Sequence, residues 1–399
     1  MDKIRFLTAG ESHGQALTAI IEGFPAGLEI SEPEIAAELK RRQRGYGRGD
    51  RMKIESDYAR ILSGVRYGKT LGSPITLKID NRDWPNWVEK MSVEPVDNPA
   101  PALQIPRPGH ADWAGMIKFR HDDLRNILER SSARETAIRV AAGAIAKALL
   151  NLFDIDVYGH VLQIGCAKSP ISFLQHISGS NQENRERFRQ LFDTAENSPT
   201  ACADAETTKA MMAQVDSARE KGDTLGGIFE LVAVGVPVGL GSHVHWDKRL
   251  DGQIAGALMS VNAIKAVEIG LGREVAEWPG RRVHDEFFYE KERGFFRGSN
   301  HAGGIEGGMS NGQPIIVRLT MKPIPTLGTP LQSVDVSSLS PEQAFRERAD
   351  VCAVPAAVVV GEAMLALVIA DALCAKLGGD SVDEMKERFK DLPDAPLGW

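Results

Sequence analysis

The run AVPAAVVVGEAMLALVIADAL, residues 353–373, is the most apolar stretch of the chain and the natural centre of a folded core. Pro355 lies near its start, and the acidic residues Glu362 and Asp371 interrupt it. A membrane-spanning helix needs about 20 consecutive residues that are predominantly apolar. The interruptions therefore favour a helix buried in a protein core over a membrane span.

A second long helical region precedes this run, at residues 122–153, where apolar residues recur at helical spacing. Shorter helices are predicted after the capping box that starts at Ser31, and at residues 204–221 and 250–261. Strands are predicted at residues 3–8, 18–22, 58–66, 73–79, 156–164, 226–234 and 315–321. This mixture predicts an α/β (α+β) fold, and 399 residues are enough to bury a large core.

Four segments lack a clear period and are predicted to be less regular. Residues 81–106 and 279–300 are expected to be loops, and residues 169–200 a polar excursion from the fold. Residues 380–399 are polar and are expected to form a loosely held tail. We therefore expect one domain over residues 1–379, followed by that tail.

Composition excludes several classes of protein. The 43% hydrophobic and 25% charged content is ordinary for a soluble globular protein, and a pI near 5.8 argues against bulk nucleic-acid binding. The start, MDKIRFLTAGESHG, has no apolar segment typical of a secretory signal. The four cysteines form no CxxC pair, so neither a disulfide framework nor a metal site is predicted, and a cytoplasmic location is expected: Cys166, Cys202, Cys352 and Cys374.

The stretch RRQRGYGRGDR, residues 41–51, has the strongest local charge. Residues 40–55 hold seven basic and two acidic side chains, although the whole chain has a formal net charge of −7. Arginine presents a planar fork of donors that fits carboxylate and phosphate oxygens, and glycine lets the backbone approach a ligand closely. One interpretation is a loop that closes on a small, multiply anionic substrate; the other is a solvated basic face. The stretch alone leaves both open.

Two histidines lie in glycine turns, where active-site groups often occur. His13 lies in GESHG (10–14), directly after the first strand, and His110 lies in RPGHAD (107–112), beside Arg107. A histidine can donate or accept a proton near neutral pH. Each could also be a simple turn residue. No serine or cysteine has an obvious base beside it, so acid–base chemistry by histidine is favoured.

Further anion-binding features follow in the chain. Ser131 and Ser132 are candidate helix N-caps flanked by Arg130 and Arg134, and a helix N-terminus between arginines favours an anion. The glycine loop GGIEGG (303–308) precedes a strand that ends at KPIPT (322–326), and together they could cradle a phosphate or a flat ring. The combination indicates a small phosphorylated substrate.

Nine motifs, in this order, resemble the chorismate synthase family: GESHG (10–14), RRQRGYGRGDR (41–51), LSGVRYGKTLGSPI (62–75), RPGHAD (107–112), ERSSARETA (129–137), SVNAIKAVEIG (260–270), NHAGGIEGGMSNG (300–312), KPIPT (322–326) and RADVCAVPA (348–356). The resemblance covers residues 3–378. It implies a β-α-β sandwich with antiparallel sheets and flanking helices, assembled as a homotetramer. It also implies an anti 1,4-elimination of phosphate from C3 and a proton from C6 of 5-enolpyruvylshikimate 3-phosphate, with reduced FMN required and NADPH as a possible reductant.

The resemblance also implies residue roles. His13 would protonate the leaving phosphate, His110 would protonate the reduced flavin near N1, and Asp350 would help accept the C6 proton through N5. The arginines implied to hold the substrate are Arg42, Arg48, Arg51, Arg107, Arg134 and Arg348. The residues implied to line the flavin are Arg130, Ser131, Ser132, Asn262, Ala263, Gly307, Lys322, Pro323, Ile324, Pro325, Thr326 and Arg348. Arg42 and Arg48 also match positions associated with a nicotinamide cofactor.

Three alternatives remain at this point. Asp350 could form a structural salt bridge with Arg348 instead of taking part in chemistry. A nucleic-acid-binding protein would use the arginine loop together with stacking aromatics, of which only Tyr46 is nearby. A flavin-independent phosphate-ester lyase or hydrolase would use the histidines and release phosphate without flavin.

Overall fold

A computed structural model describes residues 3–49, 56–177, 181–291, 294–347 and 350–392. Its strands are β1 (Arg5–Ala9), β2 (Ala16–Glu22), β3 (Ala59–Ser63), β4 (Val65–Arg66), β5 (Lys69–Thr70), β6 (Ile75–Asp80), β7 (Asp156–Ile164), β8 (Ala167–Lys168), β9 (Gly227–Val234), β10 (Ile264–Ile269), β11 (Phe287–Glu290), β12 (Gly294–Arg297), β13 (Ile305–Glu306), β14 (Met309–Ser310), β15 (Ile315–Met321), β16 (Gln332–Val334) and β17 (Pro341–Gln343). Its α-helices are Glu32–Gln43, Asp112–Phe119, Arg125–Ser131, Thr136–Asn151, Asn181–Glu196, Ala205–Glu220, Leu250–Met259, Gly280–Val283, Val354–Leu377 and Val382–Lys390.

Two antiparallel sheets form the outer layers of the main core. The first has the strand order β1-β2-β6-β3, and the second has the order β10-β15-β9-β7-β8. On β2 and β6, buried apolar residues alternate with more exposed ones, because successive side chains point to opposite faces of a sheet. The first sheet therefore presents an apolar face to helix Thr136–Asn151.

The predicted apolar helix is Val354–Leu377, here called the core helix, and it lies between the sheets. It packs along helix Thr136–Asn151 and against β7 and β9, while Thr136–Asn151 also contacts β2 and β6. By length and composition the core helix could cross a membrane, but its most apolar 18 residues are entirely buried inside the fold. The prediction of an α/β fold built as a β-α-β sandwich is confirmed.

The two acidic residues of the core helix hold other elements against it. Glu362 is fully buried and accepts hydrogen bonds from Arg41 (Nη1–Oε2 2.7 Å) and Lys147 (Nζ–Oε2 2.6 Å). Asp371 accepts the backbone N–H groups of Lys3 and Ile4, both at 2.7 Å. A buried charge is tolerated only when it is paired and hydrogen-bonded, so these contacts account for acids in an apolar helix.

Three irregular segments are more ordered than the sequence indicated. Residues 169–200 include helix Asn181–Glu196, whose Phe188 is fully buried on the second sheet beside Phe173. Residues 279–300 include the β11–β12 hairpin. Residues 380–399 include helix Val382–Lys390, which is N-capped by Ser381 and buries Val382 and Met385. The two helices were not predicted because polar residues dominate each segment's composition, while a few apolar residues make its packing face. The hairpin differs, because β11 is exposed along its length.

Candidate active site

The arginine loop is fixed by contacts to the segment that precedes the core helix. Gly45 and Gly47 have positive φ values of 117° and 92°, and the Gly47 carbonyl accepts the Val351 N–H at 2.8 Å. This places Arg48 Nη1 2.9 Å from Asp350 Oδ2, and the Gly49 N–H donates to Asp350 Oδ1 at 2.6 Å. Among the described residues, Asp350 therefore pairs with Arg48. The predicted site residues Arg51 and Arg348 lie outside the described residues.

The arginines of the loop divide into two groups. Arg41 binds Glu362 and Glu196, and Arg44 also binds Glu196, so both hold the fold together. Arg42 points the other way and is only 5% exposed. Its Nε donates to Thr136 Oγ1 at 3.0 Å. Only part of the basic stretch therefore belongs to a candidate site.

Asp57 joins two of the predicted substrate arginines. Its fully buried carboxylate lies 2.5 Å from Arg134 Nη1 and 3.5 Å from Arg42 Nη1. Burial lowers the pKa of Arg42 to about 10; Asp57 acts against this, while the nearby Arg48 and Arg134 add to it. Arg42 thus remains a cation at neutral pH. Three positive side chains share this corner, which is a suitable setting for an anion.

Hydrogen bonds at one ring nitrogen and stacking on one ring face hold the His13 side chain in place. Its Nδ1 lies 2.9 Å and 3.1 Å from the two carboxylate oxygens of Glu129, which also accepts the His13 backbone N–H at 2.8 Å. Trp87 stacks on the imidazole, with ring centroids 3.9 Å apart. The turn connects to the arginine corner through Asn81, which donates to the Gly14 carbonyl and accepts from Arg134 Nε.

His110 is held by a second buried carboxylate. Its Nδ1 contacts Asp112 Oδ1, and Arg107 donates from Nε to Asp112 Oδ2 at 2.9 Å. Burial opposes ionisation of Asp112, but the hydrogen bonds from His110 and Arg107 outweigh it and hold its pKa well below the usual range. The stability from this pairing is therefore complete at neutral pH and is lost only as the pH falls through that lowered value. Arg107 Nη1 also donates to Thr326 Oγ1 at 3.2 Å.

The predicted flavin residues form a continuous line that ends at the His110 turn. Asn262 Nδ2 donates to the Ser131 carbonyl at 3.1 Å, and the Lys322 N–H donates to the Ala263 carbonyl at 2.9 Å. Lys322 Nζ then donates to the Gly109 carbonyl at 2.7 Å. Ala263 has a φ of 68°, a conformation that is uncommon outside glycine and occurs often at functional sites.

Three other predicted flavin residues have different positions. Ser132 accepts the Arg134 N–H as a cap, and Arg130 Nη2 donates to the Thr8 carbonyl at 2.9 Å, close to the His13 turn. Gly307 lies in the β13–β14 turn, whose next residue, Gly308, accepts the Leu250 N–H. The role of Gly307 at the flavin stays a prediction.

Comparison with known proteins identifies the family of this chain. The family model described as chorismate synthase matches residues 4–374. The chain is 55% identical to a chorismate synthase of Aquifex aeolicus (strain VF5), over 97% of each chain. It is 54% identical to one from Desulforamulus reducens (strain ATCC BAA-1160 / DSM 100696 / MI-1), again over 97% of each.

This chain belongs to the chorismate synthase family. A solved structure titled "Crystal Structure of Chorismate Synthase" is 47% identical and superposes with a TM-score of 0.78, covering 97% of this chain and 96% of that one. The fold expected from the resemblance is therefore confirmed, together with the family.

Five further residues organise this site in the family member described here, although the sequence did not mark them as site residues: Glu129, Asp112, Asp57, Asn81 and Trp87. Glu129 and Asp112 lie within the motifs ERSSARETA and RPGHAD. An acid inside a basic or histidine-containing motif was the available signal for these two. Trp87 and Asn81 lie in the predicted loop of residues 81–106, where no motif indicated a site.

Arg48 provides a direct test of the arginine loop. Arg48→Ala should weaken binding of an anionic substrate by roughly tenfold or more, because one charge-assisted hydrogen bond contributes about 1.5–3 kcal/mol. The fold should be retained, because a loop contact contributes little core packing. Substrate titration of the purified variant, with the exposed-pair variant Lys209→Ala as control, measures the change. Unchanged affinity would show that Arg48 does not bind the substrate.

Proposed function

We propose that this chain converts 5-enolpyruvylshikimate 3-phosphate to chorismate by an anti 1,4-elimination of phosphate from C3 and a proton from C6. The observation that carries the proposal is the pairing of both turn histidines with buried carboxylates, next to buried arginines. His13 binds Glu129, while His110 binds Asp112. The family membership of the chain supports the same reaction.

The charge of the site suits this substrate. Its two carboxylates and its phosphate carry about four negative charges near neutral pH. Arg42, Arg107 and Arg134 are each at most 7% exposed, so their charges act where water screens them weakly. These arginines, together with Arg48, bind the carboxylates and the phosphate, and Arg51 and Arg348 add to them.

The histidines and Asp350 handle protons in this proposal. His13 holds a proton for the phosphate oxygen as the C3–O bond breaks, and the bound arginines stabilise the phosphate that leaves. Asp350, paired with Arg48 at 2.9 Å, helps to take up the proton from C6. His110 holds a proton on the cofactor side of the site, next to Arg107.

The line of residues from Ser131 to the His110 turn fits reduced FMN. We propose that the surface of Asn262, Ala263 and residues 322–326 takes the ring system, and Lys322 adds positive charge near a second lysine, Lys265. Burial lowers the pKa of Lys322, and Lys265 adds to this effect. When bound, reduced FMN supplies electron density to the breaking C–O bond. The chain's residues orient the substrate against that surface.

Several wider features belong to the same proposal. NADPH could keep the flavin reduced, with Arg42 and Arg48 as the associated residues. We further propose a homotetramer in the cytoplasm and a single domain over residues 1–379. One hydrophobic cluster with residues from both sheets and the core helix supports the single domain.

The rival function is a flavin-independent phosphate-ester lyase or hydrolase. Anaerobic phosphate release from 5-enolpyruvylshikimate 3-phosphate, measured with and without reduced FMN, separates the two. The proposal predicts release only with reduced FMN. Equal release without flavin would support the rival function and contradict ours.

Asp350→Asn tests the proton-accepting role, because it keeps the size of the side chain and removes its charge. We expect substrate and FMN to bind while the chemical step slows by about 10²-fold or more, as for loss of one general base. Pre-steady-state kinetics under anaerobic conditions and a melting curve measure both effects. A lower melting temperature with normal activity per folded molecule would show that the Arg48–Asp350 pair is structural.

A further inference from the structure

The surroundings of His13 form a four-residue unit in which Glu129 and Arg125 have no catalytic role assigned so far. It consists of His13, Glu129, Trp87 and Arg125. Glu129 is 3% exposed and His13 is 8% exposed, so neither group is screened well by water. Arg125 Nη1 lies 3.1 Å from Glu129 Oε1, and the Arg125 guanidinium lies 5.0 Å from the centre of the Trp87 ring.

Glu129 restrains the histidine at two points. Its carboxylate faces Nδ1 and also accepts the backbone N–H of the same residue. An ionised carboxylate only accepts hydrogen bonds, so Nδ1 must carry the proton and Nε2 is the nitrogen left to face a substrate. Trp87 covers one face of the ring, and its indole N–H is anchored by Asp83 at 3.0 Å.

Glu129 is ionised when it accepts these hydrogen bonds. Burial opposes ionisation, but the hydrogen bonds and charge of His13, with a smaller contribution from Arg125, outweigh it and lower the pKa of Glu129. A negative charge in contact with an imidazole favours the positively charged ring. Arg125 acts in the opposite direction, because it shares the same carboxylate. Further charges around the unit come from Lys90 over the Trp87 ring, Glu11 in the His13 turn, and Arg134 through Asn81.

We infer that Glu129 is a positioning residue for His13: it fixes the proton on Nδ1, directs Nε2 to the substrate and supports the positive ring, while Arg125 limits that support. The inference rests on the proposed function, in which His13 supplies a proton. It gives a role to Glu129, in addition to the roles proposed for the arginines, the histidines and Asp350. Glu129 and Arg125 therefore have effects of opposite sign on His13.

The test compares the pH dependence of kcat in the wild type, Glu129→Gln and Arg125→Gln, at saturating substrate and reduced FMN. Activity that needs a protonated His13 declines as the pH rises. In Glu129→Gln this decline should move to lower pH by about one unit or more, the usual effect of an adjacent opposite charge. In Arg125→Gln it should move to higher pH by a smaller amount. kcat of Glu129→Gln should also fall by roughly 10–100-fold with little change in KM, by analogy with residues that orient metal-bound histidines.

Glu38→Gln is the matched control, because Glu38 is also a paired acid, bound to Arg41 and Lys147 on another part of the fold. Its pH profile should match the wild type. Unmoved profiles in both test variants, or shifts in the same direction, would overturn the inference. A wild-type protein that forms no chorismate would instead refute the proposed function.

A readout without turnover keeps the inference testable in that case. ¹⁵N chemical shifts of labelled histidine report which ring nitrogens carry protons, and the His13 signals are assigned by their loss in His13→Asn. We expect a protonated Nδ1 in the wild-type protein near neutral pH. An unprotonated Nδ1 would overturn the inference whatever the enzyme catalyses, and so would His13 shifts that are identical in Glu129→Gln.

Discussion

His13→Ala should lower the turnover rate by roughly 10²–10⁴-fold while substrate and FMN still bind. His110→Ala should do the same, because each residue is proposed to move one proton and a single general acid or base contributes that range. Each histidine is bound by a carboxylate, and neither fills the hydrophobic core. The fold should therefore survive both changes.

The measurement is kcat under anaerobic conditions with separately determined Kd values for FMN and substrate. His245→Ala is the control, since His245 is exposed and pairs only with an exposed acid, Asp247, among the described contacts. It should behave as wild type. Full turnover in His13→Ala or His110→Ala would remove that histidine from the mechanism.

Asp57→Ala should produce the largest loss of stability, about 3–5 kcal/mol in the free energy of unfolding. Removing one partner of a buried ion pair leaves an uncompensated charge, and here the change leaves two arginines, Arg42 and Arg134, without their shared carboxylate. Substrate should restore part of the loss, because a ligand that binds only the folded state stabilises it and its phosphate replaces the missing charge.

Denaturant unfolding with and without substrate measures both parts of this expectation. Glu206→Ala is the control, because it removes an acid from the exposed Lys209 pair, and such pairs contribute about 0–1 kcal/mol. A loss at Asp57 no larger than at Glu206 would show that the two arginines find other partners. If substrate does not reduce the loss of stability in Asp57→Ala, Arg42 and Arg134 are not part of the anion site.

The sequence predicted those parts of the fold that have a local pattern. The core helix is a long apolar run with few interruptions, and helix Thr136–Asn151 repeats apolar residues at helical spacing. Strand Asp156–Ile164 was also predicted with its observed bounds. Helices Asn181–Glu196 and Val382–Lys390 were missed because their buried positions are few. Phe188 and Met385 are buried among mostly polar neighbours, so average composition concealed a real packing face.

The same distinction holds for the candidate site. His13 and His110 stood out in the sequence because they lie in glycine turns, whereas Arg42 was predicted as a site residue from the family resemblance and lies in helix Glu32–Gln43. Their carboxylate partners are often distant in the chain, since Glu129 lies 116 residues from His13 and Asp57 lies 77 residues from Arg134. No local spacing encodes such pairs. Only the register of the sheets and the packing of the helices bring them together.

The central claim is that the chain performs a flavin-dependent elimination with no net oxidation or reduction. Its most direct test is an anaerobic reaction with a known amount of reduced FMN, in which chorismate, phosphate and the flavin spectrum are followed together. The account predicts equal amounts of chorismate and phosphate, many turnovers for each flavin, and a flavin that is still reduced at the end. Consumption of reduced FMN in proportion to product, or phosphate released without chorismate, would contradict it.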